Sequence, residues 1–224
     1  MILNGKKIAF LGDSITEGVG AGPEKRFSTV FCEITGAVEY NYGISGTRIA
    51  RQFKPTVENL MFDRCFLDRV DGMIPDADVV VVFGGTNDFG HGDAPFGTLT
   101  SDDEYTFCGA VHSLINRIIN KYPEAQILFI TPLHRHSENF DKCDTNICDG
   151  ETKTSNLHLR DYVNAIKDIC EMYSIPVLDL WSNLGIQPKI KAHQDLYMPD
   201  GLHPSPKGAE RIAEHLAAFL RTIR

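Results

Sequence analysis

Five short apolar runs punctuate the 224-residue chain, at positions 7–11, 38–42, 79–83, 126–130 and 176–180. Each has the length of a strand and is rich in β-branched or aromatic residues. The run Asp78-Val79-Val80-Val81-Val82-Phe83 shows no polar alternation, so a strand built from it has to be covered on both faces, as in the middle of a parallel sheet. Between the runs, apolar residues recur at spacings of three and four. Residues 56–70 carry Leu60, Met61, Phe66, Leu67 and Val70, and residues 102–122 carry Val111, Leu114, Ile115, Ile118 and Ile119 before Pro123. Residues 156–173 repeat the pattern with Leu159, Val163, Ile166, Ile169 and Cys170. A last helix is predicted over 205–223, with Pro206 in its first turn and Ala209, Ile212, Ala213, Leu216, Leu220 and Ile223 on its buried face. Strands alternating with helices imply an α/β fold. Short right-handed crossovers wind it into a doubly wound parallel sheet of about five strands, in a flavodoxin-like order with the first strand inside.

Open sheets of this kind bind ligands beyond the carboxyl ends of their strands, so the residues that follow each run matter most. Ser14, in Gly12-Asp13-Ser14-Ile15-Thr16, comes directly after the first run and is the candidate nucleophile; a plain N-cap serine is the alternative. Gly84-Gly85-Thr86-Asn87-Asp88 ends the valine run. Its glycines allow a tight turn that aims the Asn87 amide, a donor suited to a developing oxyanion, over the sheet edge; an Asx turn at Asp88 is the alternative. Gly43 follows the second run and can present a backbone N–H where any side chain would obstruct. In Asp200-Gly201-Leu202-His203 a carboxylate stands three residues before an imidazole and can reach its Nδ1. Nε2 is then left to take a proton from a serine, unless both residues merely turn and cap the chain before Pro204.

Three segments are longer than such a fold needs, 89–101, 131–155 and 182–204, and all would open on the same edge; 131–155 is expected to act as a lid. The chain reads as one domain, 1–224, with 42% hydrophobic and 23% charged residues. A formal net charge of -8, with Lys and Arg scattered, argues against nucleic acid as a partner. The start of the chain lacks the order of a secretory signal and no apolar run is long enough to insert in a membrane, which gives a cytoplasmic expectation. Cys32, Cys65, Cys108 and Cys170 sit in apolar patterns and read as core thiols, while Cys143 and Cys148 share a polar loop and read as reduced.

Taken together, Gly12-Asp13-Ser14, Gly43, Gly85-Thr86-Asn87-Asp88 and Asp200-Gly201-Leu202-His203-Pro204 resemble the ordered blocks of the GDSL/SGNH hydrolase family. The resemblance implies a three-layer α/β/α fold, with Ser14 as nucleophile, His203 as general base and Asp200 as its orienting acid. It implies an oxyanion hole of the Ser14 N–H, the Gly43 N–H and the Asn87 side chain, with no cofactor and no metal. The function expected is a serine esterase that removes a short acyl group, acetyl first, from a small-molecule ester such as an acetylated carbohydrate. A thioesterase or lysophospholipase of the same family, a non-catalytic carbohydrate-binding module, and a metal-dependent phosphodiesterase using Asp13, Asp88, His91 and His134 are the alternatives. His134, His136 and His91 lie on loops where they either contact substrate or are solvated. No G-x-S-x-G elbow or P-loop is present, and Gly18-Val19-Gly20-Ala21-Gly22 is expected to shape the loop behind Ser14.

Overall fold

The computed structural model describes residues 2–57, 59–139 and 157–223, and its centre is a five-stranded sheet in which every pairing is parallel. The strands are β1 (Lys7–Gly12), β2 (Val38–Gly43), β3 (Val79–Phe83), β4 (Gln126–Ile130) and β5 (Val177–Leu178). The helices are α1 (Ser14–Glu17), α2 (Phe27–Thr35), α3 (Phe66–Arg69), α4 (Thr86–His91), α5 (Phe107–Lys121), α6 (Leu159–Met172), α7 (Leu180–Asn183), α8 (Lys191–Tyr197) and α9 (Pro206–Thr222). The strand order is β2-β1-β3-β4-β5, the flavodoxin-like order with the first strand inside.

Alternation along the strands divides the core in two. Ala9, Leu11, Val80, Val82, Ile127 and Phe129 face α3, α5 and α6 through Phe66, Leu114, Ile115 and Ile166. Ile8, Phe10, Val79, Val81, Leu128 and Ile130 face α2 and α9 through Phe27, Phe31, Ile212 and Leu216. Both faces are covered, which is why the valine run carries no polar position. Register then places the site: Gly12 pairs with Gly43 on one side and Phe83 on the other, so β1, β2 and β3 end level and their following residues emerge on one edge.

Several elements differ from the sequence pattern. Residues 56–70 form no continuous helix, only a 3-10 turn at Leu60–Asp63 and the short α3, and Leu60 is 69% exposed. Polar side chains fix the backbone in another shape: Asp63 accepts the Thr56 N–H at 2.8 Å, and Asn59 accepts the Met61 N–H, which a helix would have bonded within itself, at 3.0 Å. β5 stops at Leu178 because Asp179 caps α7, accepting the Ser182 N–H at 3.0 Å. The pattern reading leaves out α2, although Phe27 and Phe31 are core residues, and it also leaves out α1, α4 and α8. The four core cysteines are buried and free, while Cys143, Cys148 and most of the expected lid lie outside the described residues.

Close backbone approach is the main constraint on this edge. A Cβ on Gly43 would lie 2.1 Å from the Glu17 nitrogen and 2.6 Å from the Thr16 carbonyl carbon, both rigid backbone of α1. Gly43→Ala should therefore cost about 1–3 kcal/mol or more in a urea unfolding titration. Gly72→Ala, where the nearest atom would be an ordinary 3.7 Å away, should change stability by less than about 0.5 kcal/mol. Equal, small effects at both positions would remove the packing constraint.

Candidate active site

Ser14 is the first residue of α1 and is only 6% exposed. Asp13 caps that helix with its carboxylate, which accepts the Ile15 N–H at 3.0 Å, so the Ser14 N–H is left with no acceptor among the described residues. The Ser14 hydroxyl lies 2.9 Å from His203 Nε2, and His203 Nδ1 lies 2.6 Å from an Asp200 oxygen. A carboxylate can only accept, so Nδ1 donates to Asp200 and Nε2 is free to accept from the serine. The other Asp200 oxygen accepts the Leu202 and His203 N–H groups at 2.8 and 2.7 Å. Burial opposes its charge, but these two donors and the imidazole hold the carboxyl below the usual carboxylate range. Capping of α9 falls instead to Ser205, which accepts the Gly208 N–H at 3.3 Å.

The glycine-rich stretch after α1 supports the imidazole from behind. Gly20, at φ +87°, comes so close that a Cβ there would lie 2.7 Å from the Pro204 carbonyl and 3.0 Å from His203 Cβ. On the other side the His136 N–H donates to the Gly201 carbonyl at 2.7 Å. His136 is exposed beside that loop, whereas His134 is bound to Glu138 at 2.9 Å and stacks on Trp181.

Asn87 stands in the first turn of α4, 5% exposed, and donates one amide N–H to the Thr47 carbonyl at 3.0 Å. Its second N–H is therefore aimed by a tether instead of by a loose turn. Asp88 reaches well beyond an Asx turn. Its carboxylate crosses to the loop after β2 and accepts the Ile49 and Ala50 N–H groups at 3.0 and 2.9 Å. Gly43 also departs from expectation: its N–H is already donated to Asn41 Oδ1 at 2.9 Å, and what the glycine supplies is room for α1. Three residues on, Gly46 has φ +72° and an N–H with no acceptor among the described residues. The signal for it was in the sequence, since Asn41-Tyr42-Gly43-Ile44-Ser45-Gly46 holds two glycines and spacing alone does not choose between them. Asp13, Asp88, His91 and His134 do not gather: among the described residues no group of three or more His, Cys, Asp or Glu side chains is arranged to hold a metal ion.

The model of the GDSL-like lipase/acylhydrolase family matches residues 10–211, a span that contains Ser14, Asn87, Asp200 and His203. The chain belongs to this family. As a GDSL hydrolase it acts on ester bonds. One solved structure similar to it is 38% identical, with 100% of this chain and 99% of that one covered and a TM-score of 0.85. A protein from Lactobacillus plantarum is 28% identical, covers 99% of both chains and has a TM-score of 0.82. A possible lipase from Chitinophaga pinensis is 23% identical, covers 96% of this chain and 98% of its own, and at a TM-score of 0.66 shares the fold. No curated protein matches the chain. No helix among the described residues of this GDSL hydrolase is long and apolar enough to cross a membrane.

Beneath Ser14 the hydrolase buries an acid. Desolvation pushes the Asp13 carboxyl up to about 7, against the Ile15 N–H and the Arg69 cation, which pull it down. An unfolded aspartate titrates near pH ~4, so below that both states hold the proton and burial carries no ionisation penalty. Between roughly pH 4 and 7 the native state keeps a proton that the unfolded state has lost, so stability falls as pH rises, by up to about 1.4 kcal/mol per unit. Asp13→Asn keeps the cap and cannot ionise. Relative to the parent it should gain at least about 1 kcal/mol on going from pH 5 to pH 8 in urea titrations. A difference that does not change with pH would place the acid's titration elsewhere.

Proposed function

We propose that this GDSL hydrolase is a serine esterase that cleaves a short-chain ester, acetyl first, on a carbohydrate or other small alcohol, through an acyl-enzyme intermediate. The observation that carries the reading is the hydrogen-bonded line from the Ser14 hydroxyl through His203 to Asp200, at 2.9 and 2.6 Å. In this reading Ser14 Oγ bonds to the carbonyl carbon while its proton passes to His203 Nε2. Asp200 fixes the tautomer and offsets the charge of the imidazolium. The C–O bond to the alcohol then breaks, and the alkoxide leaves with the proton from Nε2. Water repeats the sequence on the acyl-serine, giving up its proton to His203. The oxyanion formed in each half is held by the Ser14 N–H, the free N–H of Asn87 and the Gly46 N–H, which takes the place first expected of Gly43. Ser14 and Asn87 are both buried, which favours a compact acyl group.

One observation favours a second reading, an acylhydrolase for longer chains of the thioesterase or lysophospholipase kind. The Phe62 ring lies on Gly46, where a Cβ would be 2.2 Å from it, and Val57, Leu60 and Met61 of the same segment are exposed. A series of aryl esters from acetyl to decanoyl separates the two: kcat/KM falling steadily with length supports the first reading, and a maximum at medium length the second.

Ser14→Ala should abolish turnover of an aryl acetate while shifting stability by less than about 1 kcal/mol. Near-parental activity in that variant would end the acyl-enzyme reading. Asn87→Ala should lower kcat by roughly 10² to 10³ with KM changed far less, the scale measured for a side-chain oxyanion donor in another serine hydrolase. Asn87→Asp, which keeps size but replaces the donor with an acceptor, should be at least as inactive. If the aspartate variant keeps most of its kcat, the amide is not an oxyanion donor.

A further inference from the structure

Arg69, the last residue of α3, is 6% exposed and has no carboxylate at ion-pair distance among the described residues. Its guanidinium is instead spent on the site. One Nη donates to the Gly12 carbonyl at 3.0 Å and also to the Tyr42 carbonyl, and the other donates to Thr47 Oγ1 at 3.0 Å. The face of the group lies 4.7 Å from the centre of the Phe66 ring. Gly12 leads directly into Asp13 and Ser14, and Tyr42 leads into the loop that carries Gly46. Thr47 is the residue whose carbonyl holds the Asn87 amide at 3.0 Å. All three segments that supply the proposed oxyanion donors are thus referenced to one planar cation.

We propose that Arg69 is the positioning residue of the oxyanion hole, a buried fork that sets the Ser14, Gly46 and Asn87 donors at fixed distances from one another. This rests on the serine-esterase reading above. The geometry needs arginine in particular, because lysine has no planar fork with which to hold acceptors in three directions. The charge has a use as well. Carbonyl oxygens at the ends of β1 and β2 carry partial negative charge next to the place where an oxyanion forms, and a cation seated on them offsets that repulsion.

Thr47→Val tests the link while keeping the arginine and its bonds to the Gly12 and Tyr42 carbonyls, since it removes the hydroxyl that Arg69 holds but keeps the side chain's shape and the carbonyl that holds Asn87. The hydroxyl also donates to the Ile44 carbonyl at 2.7 Å, so Thr47→Ser, which retains both bonds, is the matching control. A misplacement of the donors predicts a fall in kcat on the order of 10- to 10²-fold in Thr47→Val with KM unchanged, and recovery in Thr47→Ser. Affinity for an arylboronic acid, whose tetrahedral anion on the serine needs the same donors, should fall in step with kcat. Arg69→Lys should show the same split, at least as strongly. A purely structural arginine would instead lower the unfolding midpoint while leaving kcat per folded molecule and boronate affinity as in the parent, and that result in Thr47→Val overturns the proposal even if Arg69→Lys does not fold. Ser14→Ala run in parallel separates the two levels: activity there overturns the esterase reading, whereas an inactive Ser14→Ala beside a fully active Thr47→Val overturns only the role of Arg69.

Discussion

Most of the geometry at this edge depends on how closely the backbone of α1 can lie on the end of β2. The contact is possible only because two facing positions lack a side chain. Gly12 and Gly43 are paired in register, and a Cβ on Gly12 would lie 2.0 Å from Thr16 Oγ1 just as one on Gly43 would strike Glu17. With both absent, α1 drops into the notch between β1 and β2 and points its first N–H groups over the sheet edge. Side chains then hold it there: Asn41 donates to the Thr16 carbonyl at 2.6 Å, and Glu17 accepts the Ser45 N–H at 2.7 Å. A four-residue helix has almost no stability of its own, so its position is set by these tethers and not by its hydrogen bonds.

That close packing leaves charge in places where water cannot reach. Asp13 and Arg69 influence each other beneath the site, with the acid pushed up to about 7 and the guanidinium pushed down to about 10, in each case chiefly by burial. Arg135 is a second buried cation, donating to the Thr86 carbonyl and hydroxyl at 3.3 Å, at the start of the helix that carries Asn87. By contrast Asp200 keeps 54% of its side chain exposed. The division has a physical reason. A buried group holds a geometry at fixed strength, whereas an acid that steadies a transient imidazolium can stay partly solvated as long as its own hydrogen bonds keep it ionised.

The strands and their order were legible because they rest on local signals, short apolar or alternating runs separated by helical spacing, and the approach of Asp200 to His203 was legible because the two lie within one turn. What was not legible is what depends on contacts between distant segments. The contacts of Arg69 are the plainest case, because nothing local marks a side chain that reaches carbonyls 27 and 57 residues away. Gly43 and Gly46 were ambiguous for a different reason, a side-chain rotamer that spacing does not fix. Each glycine is permitted by its own sequence, and only the acceptor already on the Gly43 N–H distinguishes them. Helix 56–70 failed for the opposite reason, since the Asn59 and Asp63 side chains accepted backbone N–H groups locally and outweighed the apolar spacing.

The line through His203 joins residues 189 positions apart, so it forms only when the first and last parts of the chain are packed together. That packing lies on one face of the sheet, where Phe27 and Phe31 of α2 share a core with Ile212 and Leu216 of α9. The opposite face, with α3 and α5, holds Arg69 and the supports of Asn87. Ser14 and its donors are therefore built by local and middle-range contacts around β1, β2 and β3, while the imidazole is delivered by the end of the chain. Loss of α9 packing would withdraw His203 while leaving the donors in place. Looseness around α3 would do the reverse, disordering the donors beneath an intact Ser14–His203–Asp200 line. Each face of the sheet thus governs a different part of the proposed chemistry, proton transfer on one side and oxyanion stabilisation on the other, and β1 is the strand in which the two meet.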